Sequence, residues 1–257
     1  MGYREHVPEA RLRGLIAGLW AFPSTDHAHR VLPDGCMDIV VTRGRAELVG
    51  TMQRALVVPA SPAPVIGVRF RPGEAARLFS GLAADITDSE ALLREVWPDD
   101  GARLENALLE LLETSSARDA DTLIAGAQPI VERALRQRLA ARASAVDLPI
   151  RAAAQLLGDG VSVGEVAARV GVSERHLGRR FRERVGLSPR TFARVRRLQR
   201  AALELARGAK PAVAAALVGY ADQPHFTREA SALAGVSPLV LSRELCDGRD
   251  TAIPVML

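Results

Sequence analysis

Residues 161–189, VSVGEVAARVGVSERHLGRRFRERVGLSP, decide the fold of the C-terminal part of the chain. Ser162 followed three residues later by Glu165 forms a capping box, which predicts the start of a helix. The buried stripe of that helix is expected at helical spacing, on Val163, Val166, Ala167 and Val170. Gly171 then supplies a tight turn that residues with a Cβ resist. The pattern predicts two helices that cross closely at this glycine.

The second helix of the stretch begins at the cap Ser173 and is expected to run to Arg184 and stop at Gly186. Its inward face carries Leu177, Phe181 and Val185 at i, i+4 and i+8. The opposite face carries one row of basic residues beside a glycine, namely Arg175, Arg179 and Arg182 with Gly178. Guanidinium groups suit bidentate contact with guanine, so this row fits a helix that lies in a major groove. The alternative is an ordinary α-hairpin with a charged outer face.

The same pattern occurs again about 49 residues later in the chain. His176, Leu177 and Arg179 align with His225, Phe226 and Arg228. The segment Gly186, Ser188, Pro189 and Arg194 aligns with Gly235, Ser237, Pro238 and Arg243. Upstream the offset falls to 48, where Ala167, Val170 and Gly171 match Ala215, Val218 and Gly219. One supersecondary unit is therefore predicted to occur twice, which disfavours the α-hairpin alternative.

The second unit is predicted to repeat the turn, the cap and the two faces of the first. Gly219 is the turn glycine, Asp222 the cap, and Pro224 lies in the first helical turn. The inward stripe is Phe226, Ala230 and Leu233, and the outward candidates are Gln223, Thr227, Arg228 and Ser231, with His225 at the edge. His225 has an alternative role as a partly buried polar residue that bonds to the backbone. This outward face is less basic than the first.

A third helix is expected to connect the two units. Ser188 and Pro189 begin it and Gly208 closes it, and twenty residues at ~1.5 Å each give roughly 30 Å. Successive major-groove faces on one side of B-DNA are ~34 Å apart, so one chain could reach two of them. The connector is crowded with arginines that either meet phosphates or only solvate the surface: Arg190, Arg194, Arg196, Arg197 and Arg200.

The N-terminal part is predicted to mix strands and helices. Short β-branched or aromatic runs at 14–22, 37–42, 46–50, 55–59 and 65–70 favour strands. The period changes at Pro72, where a short helix is expected, and further helices are predicted at 102–114 and 129–143. The fold class is therefore an α+β domain, with a small antiparallel sheet plus helices, followed by an all-α domain. We expect the domains to span residues 1–145 and 146–257.

These motifs resemble the AraC/XylS family of bacterial transcription regulators. The first unit carries the family pattern on Ala167, Gly171, Ser173, Leu177, Arg179, Phe181, Gly186, Ser188 and Pro189, and the second on Gly219, Tyr220, Asp222, Phe226 and Arg228. The resemblance covers about residues 160–246. It implies promoter binding, with base contacts from Arg175, Gly178, Arg179, Gln223, Pro224, Thr227 and Arg228. Ala230 departs from the family, which commonly has an aromatic residue there, so the second core is expected to be smaller.

The resemblance also implies something about the N-terminal domain. In that family this domain usually senses a small molecule or mediates dimerisation. The segment RVLPDGCMD at residues 30–38 resembles one in an uncharacterised domain that precedes such DNA-binding halves. The expected partners are double-stranded promoter DNA, RNA polymerase, a small-molecule effector and a second copy of the chain. A domain that only dimerises and binds no ligand is the alternative.

Composition and charge agree with this interpretation. The chain of 257 residues is 48% hydrophobic and 25% charged, as in folded soluble proteins, and no apolar run approaches the ~20 residues that span a bilayer. Residues 161–257 hold 16 Lys/Arg against 9 Asp/Glu, a net charge of +7, which favours a polyanionic partner. No signal peptide is visible, so we expect a cytoplasmic, nucleoid-associated protein without membrane contact.

Chemistry in the N-terminal domain is less defined by the sequence. Trp20, Phe22, Cys36, Phe70 and Trp97 are candidates for an apolar effector pocket, although the aromatic residues could equally fill the core. His27, His29 and Cys36 make only a weak metal pattern, and Asp34 and Asp38 are expected to form turns. We expect no cofactor, no metal and no enzyme activity. The rival function is a DNA-binding enzyme of the alkyl-transfer repair type that uses Cys36 as its nucleophile.

Overall fold

The computed structural model describes residues 2–79, 81–114, 119–142 and 144–246. Its N-terminal part contains the strands β1 (Arg4–His6), β2 (Ile16–Phe22), β3 (His29–Val31), β4 (Asp38–Thr42), β5 (Arg45–Val49), β6 (Leu56–Val58), β7 (Val65–Phe70) and β8 (Glu90–Leu92). Six of them form an antiparallel sheet in the order β1-β2-β7-β4-β5-β8. The strands β3 and β6 pair with each other as a separate ribbon.

One face of the sheet carries the apolar core of the N-terminal part. The helices here are α1 (Leu82–Asp85), α2 (Leu93–Val96), α3 (Asp100–Thr114) and α4 (Ala120–Arg142). Helices α3 and α4 pack against each other, and α4 also packs against β2. Alternate residues of neighbouring strands, such as Leu19, Ile39 and Val68, point towards this core and are buried.

The opposite face of the sheet buries a cluster of charges. Arg69 is 4% exposed. Its Nε atom lies 3.0 Å from Asp34 Oδ2 and 3.4 Å from Asp38 Oδ1, and its Nη1 atom lies 2.9 Å from Glu5 Oε2. The indole of Trp20 donates to Asp38 at 2.6 Å. Burial raises the pKa of Asp38 to about 7, although Arg69 opposes the shift. Three carboxylates thus face one guanidinium in a buried site, and the repulsion from Asp34 and Glu5 adds to the effect of burial on Asp38.

The C-terminal part is all helical. Its helices are α5 (Leu148–Gly158), α6 (Val163–Arg169), α7 (Glu174–Val185), α8 (Pro189–Ala206), α9 (Pro211–Leu217), α10 (Gln223–Ala234) and α11 (Pro238–Cys246). One core joins α5, α6 and α7 to Phe192 at the start of α8. A second core joins the rest of α8 to α9, α10 and α11. Helix α8 therefore belongs to both helix-turn-helix units.

The predicted fold class is confirmed, and each of the five predicted strands corresponds to an observed one. Several details of the prediction were wrong. The strands β1, β3 and β8 were not predicted, and the helix expected after Pro72 is reduced to a 3-10 turn at Ala75–Arg77. Helix α4 begins at Ala120 rather than near Pro129, which lies inside it. Residues 247–257 of the predicted C-terminal domain lie outside the described residues.

The capping box at the start of α6 is only half formed. Ser162 Oγ accepts a hydrogen bond from the Glu165 backbone N–H at 3.3 Å, as predicted. The Glu165 side chain, however, accepts from Arg169 Nη2 at 2.6 Å, which is the i,i+4 ion pair of an exposed helix surface. None of the helices in the described ranges has the length and apolar character that a bilayer-spanning segment needs.

Candidate nucleic-acid interface

Helix α7 is fixed at both ends and along its inward face. Ser173 Oγ accepts from the His176 backbone N–H at 3.2 Å, and Gly186 ends the helix with φ of 88°. The stripe Leu177, Phe181 and Val185 is at most 1% exposed. Because a helix has one buried face here, the opposite face is held towards solvent in a single orientation.

The outward face of α7 brings the first four sequence-predicted residues together. A shallow groove runs along it, lined by Ala84 of α1 and by Arg175, Gly178, Arg179, Arg182 and Glu183. No atom lies within 4 Å of the place where a Cβ on Gly178 would stand, so the groove is open at that point. Arg179 Nη1 lies 3.1 Å from Glu183 Oε1, but both side chains are more than half exposed, so this pair holds the arginine only weakly.

Helix α10 presents the corresponding face of the second unit. Asp222 Oδ1 accepts from the His225 backbone N–H at 2.6 Å, which confirms the predicted cap. The stripe Phe226, Ala230 and Leu233 is buried, as expected. The outward face exposes Gln223, Pro224, Arg228 and Ser231, with half-buried Thr227 among them. The Thr227 hydroxyl donates to the Gln223 carbonyl at 3.0 Å, so in this structure it is used within the helix.

A buried glutamate that the sequence did not single out organises the edge of α10. Glu229 is 6% exposed. It accepts from Arg197 Nη2 at 2.9 and 3.1 Å, and the Tyr220 hydroxyl donates to it at 3.3 Å. His225 packs edge-on against Tyr220 and lies 3.6 Å from the same carboxylate, so its ring faces this cluster. The only sequence feature that pointed to a buried acidic partner was the large number of arginines on the connector helix.

Three arginines of α8, Arg194, Arg197 and Arg200, have partners within the protein, whereas Arg190 is exposed. Arg197 lies under the cluster, with its guanidinium 4.5 Å from the Tyr220 ring, and therefore holds α8 to α10. Arg194 Nε lies 3.5 Å from Glu229, and Arg200 donates to the Asp159 carbonyl at 3.3 Å. For Arg197 the sequence left open a phosphate contact or a solvated surface position, and the structure instead gives it an internal ion pair with a side chain that is only 25% exposed. Arg190 is exposed at the first turn of α8.

The five residues predicted for an effector pocket are not brought together. Phe70 and Trp97 are fully buried in the apolar core, where each packs edge-on against Phe79. Trp20 and Phe22 lie on the opposite, polar face of the sheet, and Phe22 stacks on His29 at 4.3 Å. Cys36 lies in the loop before β4. The register of β2 and β7 pairs Trp20 with Gly67, so Phe70, three residues further along β7, points to the opposite face of the sheet.

Cys36 is poorly placed for nucleophilic chemistry. It is 3% exposed, and burial, followed by the nearby Asp34 carboxylate, raises the pKa of its thiol. A raised pKa keeps the thiol protonated, which is the unreactive form. In the part of the chain that the structure describes, no three His, Cys, Asp or Glu side chains are placed to hold a metal ion. Asp34 accepts from the Cys36 backbone N–H at 2.8 Å and thus forms the predicted turn.

A cavity of about 400 Å³ lies where the N-terminal part meets the first helix-turn-helix unit. Its lining includes Gly14, Arg71 and Glu74 from the N-terminal part and Arg151, Phe192 and Arg196 from the helical part. Arg151 donates from Nε to the buried Glu74 carboxylate at 2.8 Å and from Nη2 to the Gly14 carbonyl at 2.9 Å. None of the five residues predicted for the effector pocket lines this cavity.

Comparison with protein families assigns both parts of the chain. Residues 166–244 match a family described as a helix-turn-helix domain, and residues 4–91 match a domain of unknown function, DUF6597. The chain therefore carries the DNA-binding domain of a transcription regulator. More particularly, it has an AraC-type helix-turn-helix domain at its C-terminal end, preceded by a DUF6597 domain. No curated protein sequence matches the chain.

Similar solved structures include ToxT from Vibrio cholerae. A crystal structure of ToxT from strain O395 has 12% identity and a TM-score of 0.44, with 96% of this chain and 97% of that chain covered. ToxT from the same strain bound to (E)-4-(8-methylnaphthalen-1-yl)but-3-enoic acid has 8% identity and a TM-score of 0.45, with 95% and 98% covered.

Proposed function

We propose that the protein recognises specific promoter DNA by inserting α7 and α10 into neighbouring major grooves. The observation that carries the proposal is the repeated unit itself, in which two capped helices at equivalent positions leave equivalent faces uncovered by their own cores. Helix α8 joins the units over 18 residues, or roughly 27 Å at ~1.5 Å per residue. That length is compatible with the ~34 Å between groove faces on one side of B-DNA.

In this proposal the outward face of α7 supplies most of the affinity for DNA, and the outward face of α10 contributes mainly to discrimination between bases. On α7 the side chains of Arg175, Arg179 and Arg182 supply positive charge and donors suited to guanine. On α10 only Arg228 is charged among the outward candidates, and Gln223 suits adenine. Gly178 and Pro224 have no side-chain donor or acceptor, so the base opposite each of them would be specified weakly.

Selection from randomised duplex oligonucleotides, followed by footprinting, tests this proposal. We expect one preferred site with two protected patches about one helical turn apart. The Arg103→Ala variant is the control for replacing an exposed arginine, because Arg103 is 74% exposed and its side chain pairs only with Asp100 among the described residues. Its helix α3 packs on α2, α4, β4 and β5 of the N-terminal part. The variant should bind like the wild type. Binding of all duplexes with equal affinity would contradict the proposal.

RNA polymerase and a second copy of the chain are the further partners that we propose. Both follow from the AraC-type domain rather than from a contact in the chain. Sedimentation of the protein with and without its selected site tests the second copy. A complex that contains one protein chain per DNA duplex would contradict the proposed dimer.

We also propose that a small molecule bound by the N-terminal part controls DNA binding. The cavity at the junction supports this, because a ligand there would touch residues of both parts. The guanidinium groups of Arg71, Arg151 and Arg196 outnumber the carboxylates in the lining, those of Glu74 and Asp159, and Arg151 already pairs with Glu74. The remaining positive charge beside the ring of Phe192 favours a small anion with an apolar body. A thermal-shift screen tests it, since a ligand at 100 times its Kd stabilises by about 2.7 kcal/mol. Stabilisation by a carboxylate compound should be lost in Arg71→Met, and no stabilisation by any compound would favour a domain that acts without a ligand.

A further inference from the structure

The two helix-turn-helix units are connected to each other mainly through α8. It packs on α5 in the first unit and on α9 and α11 in the second. Between the units, no pair of described helices outside α8 makes a comparable contact. With one connecting helix, the distance and angle between α7 and α10 depend on how each unit packs on α8, so further contacts that join the two units would fix both more firmly.

The N-terminal part contacts the C-terminal end of α7. The Thr87 hydroxyl, just after α1, lies 3.0 Å from the Gly186 carbonyl oxygen and 3.1 Å from the Ala83 carbonyl oxygen, so its one proton is shared between these two acceptors. A Cβ on Gly186 would stand 2.5 Å from Thr51 Oγ1 and 2.6 Å from the Ala83 carbonyl oxygen. The chain after α7 therefore passes so close to two segments of the N-terminal part that only glycine fits there.

The N-terminal part also contacts the C-terminal end of α10. Arg30 donates from Nη1 to the Ala234 carbonyl at 2.9 Å, and its Nε and Nη2 atoms bind Glu244 of α11 at 2.9 and 3.2 Å. The Ala55 backbone N–H donates to the Leu233 carbonyl at 2.7 Å. The last carbonyls of a helix have no partner within the helix, so these donors satisfy groups that otherwise need water.

The contacts with the two helix ends are joined within the N-terminal part. Thr51 and Ala55, which touch α7 and α10 respectively, belong to one loop between β5 and β6. The neighbouring segment 32–36 follows α8 from one core to the other. Leu32 is buried in the second core, the Pro33 carbonyl accepts from Gln199 at 2.6 Å, and the Phe192 ring lies against Gly35. Asp34 ties this segment to the sheet through the buried Arg69.

We propose that the N-terminal part is a brace that fixes α7 and α10 relative to each other and so determines which spacing of two half-sites the protein accepts. Arg30 and Thr87 are the positioning residues of this brace. The inference rests on the proposed function, because spacing has a meaning only if both helices contact DNA. It assigns a role to the segment 30–36, which the DNA-contacting surfaces leave unexplained.

Binding to the selected site with base pairs inserted or removed between its halves tests the brace. One base pair changes the separation by ~3.4 Å and rotates one half by about a tenth of a turn. We expect the wild type to lose affinity about tenfold, or ~1.4 kcal/mol, for a one-base-pair change. The variants Arg30→Met and Thr87→Val should lose only about threefold, ~0.7 kcal/mol, since their helices can adjust to the altered site.

The controls separate a brace from a general loss of structure. Arg30→Lys keeps the charge but offers one nitrogen in place of the three that bind Ala234 and Glu244, so its tolerance of altered spacing should lie between wild type and Arg30→Met. Arg103→Ala should behave as wild type. Thr87→Val nearly preserves the side-chain shape, so it carries the test if Arg30→Met does not fold, and circular dichroism checks both variants.

Two outcomes would overturn the inference. In the first, both brace variants discriminate between spacings as sharply as the wild type. In the second, their affinity rises equally at every spacing, which would mean that the contacts oppose DNA binding instead of positioning it. A wild-type protein with no preferred site would instead contradict the proposed function.

Discussion

Arg197 donates from one guanidinium nitrogen to both carboxylate oxygens of Glu229, at 2.9 and 3.1 Å, and thereby ties the connector helix α8 to the second DNA-facing helix. The Glu229 carboxylate is almost completely buried. A buried carboxylate that loses its partner is costly, so this pair is a structural feature of the second unit rather than part of its outer surface.

Replacing Arg197 by Met should therefore reduce stability. We expect the free energy of unfolding to fall by about 3 kcal/mol, because Glu229 would remain buried without its main partner. Urea unfolding measures this change. The additional replacement Glu229→Gln should recover part of it. An unchanged unfolding midpoint in Arg197→Met would contradict this assignment.

Replacing Arg190 by Ala should change DNA binding and leave the stability of the protein nearly unchanged. Arg190 is exposed at the start of α8, where a phosphate could reach it. We expect nearly unchanged stability and a slope of log K against log salt that is flatter by about 0.9, the value for one lost phosphate contact. Binding measured at several salt concentrations gives the slope. The same slope in variant and wild type would remove Arg190 from the interface.

Replacing Arg179 by Ala should cost about 1–3 kcal/mol of binding to the selected site and relax the preference at one base position. The reason is the loss of a bidentate contact with a base edge. Repeating the oligonucleotide selection with the variant measures both effects. Glu183→Gln is the matched control, because it removes the exposed partner of Arg179 and should leave binding equal or stronger. Equal losses on selected and scrambled DNA would show that Arg179 does not discriminate between bases.

Two glycines in the first unit should respond to alanine in opposite directions. Gly178 lies inside α7 with open space around its Cα, so Gly178→Ala should stabilise the protein by up to about 1 kcal/mol through helix propensity. Gly186 has a positive φ and Thr51 lies 2.5 Å from the place of its Cβ, so Gly186→Ala should destabilise by about 1–3 kcal/mol. Thermal unfolding of the two variants compares the signs directly. Destabilisation by both would contradict the open groove on α7.

The buried charges behind the sheet should make stability depend on pH. Burial raises the pKa of Asp38 to about 7 in the folded chain, from 3.8 in the unfolded one. The carboxylates of Asp34 and Glu5 act in the same direction, whereas Arg69 and Trp20 lower the pKa. The folded state then binds more protons between these two values, so its stability falls as the pH rises from about 4 to about 7. Asp38→Asn should lose this part of the dependence. Unfolding curves of wild type and variant across that range measure the difference, and parallel curves would contradict it.

The local features of the helical part could be predicted from the sequence. Caps such as Ser173 and Asp222, and turn glycines such as Gly171, act within a few residues, so their geometry follows from short-range chemistry. The inward stripes were predicted correctly for the same reason. The exposed faces of α7 and α10 could be predicted from these stripes, because a helix with one buried stripe exposes its opposite side to solvent.

The contacts between the two parts could not be predicted in the same way. Arg30 and Glu244 are separated by 214 residues, and no periodicity relates them. The burial of Glu229 also has no local signal, since a glutamate on an amphipathic helix is normally exposed. The five proposed effector residues were grouped by residue type alone. The register of β2 and β7 puts Phe70 on the opposite face from Trp20 and Phe22, and Cys36 and Trp97 lie outside the strands.

Leu32 belongs by sequence to the N-terminal sheet region but lies, with no exposed surface, among the apolar side chains of the second helical unit. A fragment that begins after α4 would expose to water the apolar side chains that surround Leu32, at a cost of roughly 25 cal/mol for each Å² exposed. A chimera of this DNA-binding half with another N-terminal half should therefore be stable only if that half places an apolar side chain at the position of Leu32.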